Sequence, residues 1–254
     1  MTNSNDDEPQ FFLTAPAPCP YLAERWERKV FTYLTGQSAN SKNSVLTQLG
    51  FRRSQNIGYR PVCDGCNACI SVRIVVDDFT PDRTMKRVIK KNSGLSRKVC
   101  PPKVTNEQYA LFKRYLDARH SGAGMSDMKF DDYKTMVEET VVETSLVEYR
   151  RTPLDKSSWD KSSCEDNKSP LIAAALTDKV DDGLSMVYSF YSPDESHASL
   201  GVFMILDHIR QARQLGLPYV YLGYWVKGCR KMNYKSRYRP QEHLTSRGWK
   251  LTKE

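Results

Sequence analysis

The last third of the chain carries the strongest constraint on its fold. Two largely apolar segments, Leu171 to Thr177 and Leu184 to Tyr191, have the length and composition of buried strands. A helical segment then starts near Ser199 and ends at Gly216, a residue type common at helix C-termini. The apolar run from Tyr219 to Val226 predicts another strand. Together these elements require a sheet with a helix packed on it.

Two strands, a helix with a glycine at its start and a further strand form the core pattern of acetyltransferase-like, GNAT-type folds. We therefore predict an α+β protein that has a mixed sheet with flanking helices and a smaller N-terminal α/β region carrying a Cys-rich loop. A chain of 254 residues can bury a core in one large unit or two smaller ones. The expected division is a flexible N-terminus at 1–18, an N-terminal domain at 19–100 and a C-terminal domain at 101–254, with a mobile insertion near 152–168.

Local patterns predict the other elements. Thr105 and Gln108 match a capping box, which marks the start of a helix. The remaining expectations are a strand at 29–33, a helix at 44–49, an extended segment at 51–59, a strand at 71–76, a helix after Pro81 and a helix at 131–139.

The charge of the chain favours a polyanionic partner. Lysine and arginine number 38 against 30 acidic residues, which gives a net charge of +8. Near the C-terminus aromatic residues alternate with cations, a pattern that suits both phosphates and stacked bases. The chain lacks a run of roughly 18 apolar residues, and its N-terminus is acidic, so we expect a soluble cytoplasmic protein.

The cysteines form one notable motif. Cys63, Cys66 and Cys69 have the spacing C-x2-C-x2-C, and Cys19 is a candidate fourth ligand. Four thiolates could complete the tetrahedral shell of zinc or hold an iron–sulfur cluster. The alternative is a group of reduced structural thiols, because the total of seven cysteines is odd and no secretion signal precedes them.

Six stretches of the chain together resemble the family of arginyl-tRNA-protein transferases, and within it the short bacterial branch. They are CPYL from Cys19, ERKVFT from Glu27, GFRRSQNIGYRPVCDGCNAC from Gly50, DGLSMVYSFY from Asp182, SLGVFMILDHI from Ser199 and GLPYVYLGYWVKGCRKMNYK from Gly216. The resemblance implies transfer of leucine from leucyl-tRNA to proteins that begin with Asp or Glu, which marks those proteins for degradation. An arginyl donor is a variant of this interpretation. Ser192 departs from the pattern, which has an acidic residue at that position.

Such a transfer is the aminolysis of an ester and needs no strong nucleophile or obligatory cofactor. An α-amino group has a pKa near 7.7 to 8.0, so much of it is neutral at cellular pH. The enzyme must position the amine and accept its proton. Asp182 is the candidate proton acceptor and Asp181 the alternative, although Asp-Asp-Gly is also a common turn composition.

An acidic N-terminal residue requires cations, and the arginine fork matches a carboxylate. Candidate acceptor-binding residues are Arg52, Arg53, Gln55, Asn56, Tyr59 and Arg60. The alternative is a phosphate-binding or solvated surface.

The donor requires a pocket for the esterified end of the tRNA and contacts to its phosphates. Candidate pocket residues are Tyr188, Tyr191, Tyr224 and Trp225, although aromatic residues in strands are core residues as often. Ser199 and Gly201 offer the free N–H groups of a helix N-terminus. Lys231 and Lys235 would share one face of a helix, and Arg239 follows them.

Two other functional classes fit part of the pattern. A CoA-dependent N-acetyltransferase fits the fold, but the single Gly201 is sparser than the glycine-rich turn that such enzymes use. A non-enzymatic tRNA-binding protein with a structural metal would bind tRNA without transferring an acyl group.

Overall fold

The computed structural model describes residues 9–119, 127–151 and 169–252. The α-helices are α1 Ala39–Gln48, α2 Arg83–Lys91, α3 Asn106–Arg119, α4 Phe130–Glu138 and α5 Leu200–Gln214, and there are 3₁₀ helices at Pro193–Ala198 and Arg230–Arg237. The strands are β1 Phe12–Leu13, β2 Ala17–Pro18, β3 Trp26–Glu27, β4 Lys29–Tyr33, β5 Arg52–Ser54, β6 Ile57–Pro61, β7 Cys69–Val75, β8 Leu95–Cys100, β9 Thr144–Arg151, β10 Leu171–Val180, β11 Gly183–Tyr191, β12 Tyr219–Val226, β13 Gln241–Thr245 and β14 Gly248–Leu251.

An eight-stranded mixed sheet forms the centre of the molecule. Its order is β14-β13-β7-β12-β11-β10-β9-β8, and only β11 and β12 run parallel. Because parallel neighbours need a crossover, α5 connects them. The prediction of an α+β protein with a mixed sheet and flanking helices is confirmed.

Helices cover both faces of this sheet. Along β10 successive side chains point to opposite faces, so Ala173 and Ala175 pack in the cluster that contains α5, whereas Ala174 and Leu176 pack in the cluster that contains α3 and α4. The run of small residues lets helices approach closely on either side. This double coverage explains why β10 reads as a continuous apolar segment in the sequence.

Helix starts that were predicted from local sequence motifs are confirmed. Thr105 N–H donates to Gln108 Oε1 at 2.9 Å and Gln108 N–H donates to Thr105 Oγ1 at 3.2 Å, which is the expected capping box of α3. Asp82 caps α2 by accepting a bond from Met85 N–H at 2.7 Å. Strands β8, β9, β13 and β14 lie outside the sequence-based expectations.

The large sheet crosses the predicted domain boundary at residue 100. Strands β7 and β8 precede that position, yet β7 lies between β13 and β12, and β8 pairs with β9. Long-range pairing of this kind has no local sequence signature.

A smaller four-stranded sheet, in the order β1-β4-β6-β5, precedes the large one in the chain. One face packs on α1, where Leu34, Ala39 and Leu46 are buried. The expected flexibility at 1–18 does not extend to Phe12–Leu13, since these residues pair with β4. Residues 1–8 and the expected insertion at 152–168 lie outside the described residues.

Two further observations concern thiols and membranes. Cys100 is disulfide-bonded, whereas Cys229 is a free buried thiol. Among the helices of the described residues, none combines the length and the apolar character needed to cross a membrane.

Candidate active site

Strands β11 and β12 separate after a short paired segment. They pair in parallel at Gly183–Ser185 with Tyr219–Tyr221, and their register contains no further pair. Each strand has a β-bulge where the pairing stops, with Val187 as the extra residue of β11 and Leu222 as that of β12. Because bulges bend a strand and increase its twist, the two strands diverge. We call the space between them, beyond Ser185 and Tyr221, the wedge.

Arg52 of β5 enters the wedge. Its Nη2 donates to the carbonyl oxygens of Met186 at 3.2 Å and Val187 at 2.7 Å. The guanidinium therefore bonds to β11 where β12 no longer pairs with it. On the other side it lies against the backbone of Gly223, where an added Cβ would stand 1.6 Å from Arg52 Nη1. Gly223 also has a φ of +73°, so both the close approach and the backbone conformation require glycine.

Lys235 places a second cationic side chain in the wedge. It comes from the 3₁₀ helix Arg230–Arg237, is only 6% exposed, and its Nζ donates to the Tyr224 carbonyl at 2.6 Å. Burial, and then the charge of Arg52, lower the pKa of Lys235 to about 7. Among the described residues no carboxylate pairs with Arg52 or Lys235, so the wedge has an uncompensated positive potential.

Four tyrosines form a wall next to the wedge. Burial, and then the nearby Tyr191, Tyr188 and Tyr234, raise the pKa of Tyr115, and the rings of Tyr115 and Tyr191 are 5.0 Å apart. Partial burial and the nearby Tyr191 raise the pKa of Tyr234 too, while the charge of Arg52 opposes this effect, so Tyr234 lies close enough to both residues to interact with them. Sequence reasoning missed Tyr115, although its position on the apolar face of a capped helix was a usable signal.

The start of α5 adjoins this wall. An added Cβ at Gly201 would lie 3.4 Å from Tyr191 Cε1, so the helix start is in close contact with the ring. Ser199 precedes the helix with a φ of +54°, and its side chain makes no cap hydrogen bond. Of the two predicted residues, Gly201 therefore stands beside Tyr191 and Ser199 precedes the helix.

The predicted pocket aromatics Tyr188 and Tyr224 also make contacts with neighbouring elements. Tyr188 packs edge-on against Phe112 of α3 at 5.9 Å, and burial raises the pKa of Tyr188 to about 12. The hydroxyl of Tyr224 lies 3.0 Å from the Gly50 carbonyl and 3.1 Å from that of Tyr59, which fastens the small sheet to β12.

Trp225 faces another part of the molecule. Its ring stacks on that of His243 in β13 with a centroid distance of 5.5 Å. The observed contact therefore supports packing between strands rather than a place in the donor pocket.

Arg53, a predicted acceptor-binding residue, lies in a buried ion pair outside the wedge. Its Nε and Nη2 contact Asp178 Oδ2 and Oδ1 at 2.5 and 2.6 Å, and both side chains are 2% exposed. Side chains alternate along a strand, so Arg53 points away from Arg52 and into this buried ion pair. Its role is to attach β5 to β10.

Arg60 also lies on the face opposite its neighbour Tyr59. It is exposed, and its Nη1 donates to the Leu49 carbonyl at 3.1 Å. Gln55 and Asn56 form the turn between β5 and β6, away from the wedge. Of the six predicted acceptor-binding residues, the structure brings only Arg52 and Tyr59 together, as cross-strand partners near the wedge.

Asp182, the candidate proton acceptor, precedes β11 at the end of the strand opposite the wedge. Its carboxylate accepts bonds from the Tyr221 hydroxyl at 2.9 and 3.1 Å and lies 3.5 Å from Arg73 Nη1. Six residue steps along the strand separate it from Tyr188, a span of about 20 Å. The turn that precedes β11, which was the alternative interpretation, accounts for its position.

The predicted phosphate-binding residues do not share a face. Lys231 is exposed and Lys235 is buried, because residues four apart on a 3₁₀ helix point in directions about 120° apart. Arg239 is exposed, and its Nε donates to the Ser236 carbonyl at 3.1 Å. Lys231 and Arg239 remain surface cations, whereas Lys235 belongs to the wedge.

The four predicted cysteine ligands are free, partly buried neighbours. Burial, and then Cys19, Cys63 and Cys66, raise the pKa of Cys69 to about 11. In the described part of the chain, however, no group of three or more His, Cys, Asp or Glu residues is arranged to hold a metal ion. The thiols fit zinc or an iron–sulfur cluster by donor type but not by their present arrangement.

Comparison with known proteins agrees with the sequence resemblance. Residues 17–87 match the family model described as arginine-tRNA-protein transferase, N terminus, and residues 107–245 match its C terminus. An aspartate/glutamate leucyltransferase of Xanthobacter autotrophicus is 58% identical over 98% of both chains. One of Azorhizobium caulinodans is 55% identical over the full length of both.

Likeness to solved structures is weaker. A GCN5-related glucosamine N-acetyltransferase region of a fungal beta-N-acetylglucosaminidase aligns over 87% of this chain and 22% of its own length. The identity is 12% and the TM-score 0.41, a value too low to indicate a shared fold. The sequence matches, by contrast, extend over nearly the whole molecule, and the chain belongs to the arginine-tRNA-protein transferase family.

Proposed function

We propose that this protein transfers leucine from leucyl-tRNA to the N-terminal Asp or Glu of acceptor proteins, which makes them substrates for degradation. Relatives named aspartate/glutamate leucyltransferase at 55 to 58% identity over the full length support this function. The structural observation that carries it is the guanidinium of Arg52, a permanent charge in the wedge with no carboxylate partner among the described residues.

Arg52 would recognise the acidic side chain of the acceptor. Its Nη2 is held by two carbonyls of β11, and arginine carries five N–H donors in a fixed fork. The remaining donors can meet a carboxylate while the two carbonyls fix the orientation of the plane. If the acceptor had no carboxylate, the Arg52 guanidinium would stay buried without a partner, which costs free energy. Such an acceptor would therefore be rejected.

The donor ester would lie between this charge and the tyrosine wall. The neutral amine attacks the ester carbonyl, an N–C bond forms as the C–O bond to the tRNA breaks, and the 3′ hydroxyl leaves with a proton. The attacking nitrogen loses a proton in the same sequence. Lys235 replaces Asp182 as the candidate acceptor of that proton, because its pKa of about 7 leaves a large neutral fraction near neutral pH.

In this proposal the large sheet has the role that the corresponding sheet has in acetyltransferases. Three observations support this: the parallel β11–β12 pair, the α5 crossover and the two bulges that open the wedge. In this proposal an aminoacyl-tRNA and a protein N-terminus are the two partners, in place of an acyl-CoA and an amine.

A transfer assay tests the function. Purified protein is incubated with tRNA charged with labelled leucine or arginine and with peptides that begin with Asp, Glu, Lys or Ala. We expect label only with the leucyl donor and the Asp or Glu peptides. Transfer from the arginyl donor alone, or transfer to all four peptides, would exclude the proposed specificity.

We retain a zinc or iron–sulfur site at Cys19, Cys63, Cys66 and Cys69 as a separate proposal. The four neighbouring thiols support it by donor type, and binding would require the loop between β6 and β7 to rearrange. The transfer reaction described above uses no step at this site. Metal analysis of protein purified without oxygen, compared with Cys66→Ser, measures its occupancy.

A further inference from the structure

One face of the small sheet carries a continuous row of aromatic side chains. Phe12 of β1 is paired with Phe31 of β4, Phe31 with Tyr59 of β6, and Tyr59 with Arg52 of β5. Directly opposed residues in neighbouring strands point to the same face. Tyr33, two residues after Phe31, shares that face. We call Phe12, Phe31, Tyr33 and Tyr59 the aromatic row.

The outer part of the aromatic row is open to solvent. Phe12 is 42% and Tyr33 49% exposed, although the three outer rings contact one another with centroid distances of 5.5 to 6.0 Å. The opposite face of the sheet packs on α1 in part, around Leu34 and Leu46. A cluster of exposed aromatic rings of this kind marks a binding surface more often than a solvated one.

The inner end of the aromatic row leads into the candidate active site. Three strand spacings, about 14 Å, separate β1 from β5, where Arg52 bonds to the carbonyls of the wedge. Tyr59 at the inner end lies near Tyr224, with ring centroids 6.5 Å apart. A ligand that lies along the aromatic row would therefore reach the wedge without a break.

Two cations, Lys29 and Arg52, lie on this face of the sheet. Lys29 shares the face, with its Nζ 5.6 Å from the Tyr59 ring centroid, and it also pairs with Glu27 at 2.7 Å. Arg52 lies at the inner end of the row. Aromatic rings distributed over the strands of a sheet, with cations beside them, are the arrangement that binds single-stranded nucleic acid by base stacking.

We propose that the aromatic row binds the single-stranded 3′ end of the donor tRNA and leads its ester into the wedge. This inference rests on the proposed function, because it presumes a tRNA donor. All tRNAs share a single-stranded 3′ end, so one fixed row of rings suits them all, whereas acceptor proteins vary in sequence after the first residue. The outer strand β1 has only two residues, too few to accept an extended polypeptide as an added strand.

Binding of RNA hairpins tests the proposal separately from transfer. One hairpin carries a single-stranded 3′ tail and the other is identical but blunt, and fluorescence anisotropy gives the affinity of each. The variant Phe12→Ser/Tyr33→Ser should weaken binding of the tailed hairpin roughly tenfold or more and remove its advantage over the blunt one, since stacking contributes about 1–3 kcal/mol per base. Both side chains are exposed, so the fold should tolerate the change.

Leu13→Ser is the matched control. Leu13 follows Phe12 in β1, is 60% exposed and points to the other face, so its variant should bind both hairpins like the parent. Phe12→Tyr with Tyr33→Phe should restore the affinity, because both rings remain.

Two outcomes overturn the proposal. In one, the double serine variant binds the tailed hairpin as tightly as the parent. In the other, its tRNA affinity is unchanged while the KM for an acceptor peptide rises, which would assign the surface to the acceptor polypeptide. Failure of the parent protein to transfer leucine, with the tail-dependent binding intact, would count against the proposed function alone.

Discussion

Arg52 and Arg53 are adjacent in the sequence and have different roles. Alternation along β5 directs Arg52 to the carbonyls of Met186 and Val187 and Arg53 to the buried carboxylate of Asp178. The sequence indicated that cations gather in this segment. It could not indicate which of them is neutralised, because Asp178 lies 125 residues away.

The same geometry separates Arg52 from Arg60 in function. We expect Arg52→Ala to raise the KM for Asp- and Glu-initiated peptides at least tenfold, because the charge in the wedge is lost. Arg60→Ala should change that KM less than twofold, since Arg60 is exposed and bonds only to the Leu49 carbonyl among the described residues. Steady-state kinetics with saturating leucyl-tRNA measure both. Equal effects of the two substitutions would remove Arg52 from its assigned role.

At the scale of elements, the two bulges determine the shape of the site. The apolar patterns predicted β11 and β12 correctly, but they contain no sign that Val187 and Leu222 are extra residues. A bulge depends on the strands on either side. Here β11 and β12 stop pairing, and the side chain of Arg52 from the small sheet bonds to β11 instead. Gly223 was the available signal, because glycine inside a strand often marks a bulge or a close approach.

Gly223→Ala tests this element. The added Cβ would overlap Arg52 Nη1, so we expect Arg52 to be displaced and the acceptor KM to rise about tenfold or more. The change also strains a backbone with positive φ, typically by about 1–2 kcal/mol. Gly216→Ala is the matched control, because its φ is +68° and an added Cβ meets no atom within 4 Å. It should lower the melting temperature without changing KM, and a similar KM in both variants would contradict the role of the close approach.

At the scale of the whole molecule, pairing between distant segments assembles the sheet. Strand β7 from the N-terminal region lies between β12 and β13, which come from the last forty residues or so. Local periodicity predicts that β7 is a strand but carries no information about its neighbours. This explains why helices and strands were largely predictable, whereas the order of the strands in the large sheet was not.

The packing of α5 on the sheet makes global stability depend on pH. His208 is fully buried, with Nε2 2.8 Å from Thr177 Oγ1, and burial lowers its pKa from 6.5 to about 4. Between these values the unfolded chain binds the extra proton, so stability rises with pH across this window, by about 3 kcal/mol for this group. Urea unfolding at pH 4.5 and 7 should show this rise, and His208→Gln should reduce it. An equal rise in the variant would assign the pH dependence to other groups.

The family, most helices and strands, and the residue types that the reaction needs follow from the amino-acid sequence, because periodicity, capping and motif identity are properties of neighbouring residues. Three-dimensional packing, in contrast, brings Arg52 and Lys235 into the wedge, keeps Arg53 and Asp182 out of it, and aligns Phe12, Phe31 and Tyr59 across three strands. These outcomes depend on strand register and burial between segments far apart in the chain. Contacts of that kind are fixed when the whole core packs, so no local stretch of residues contains them.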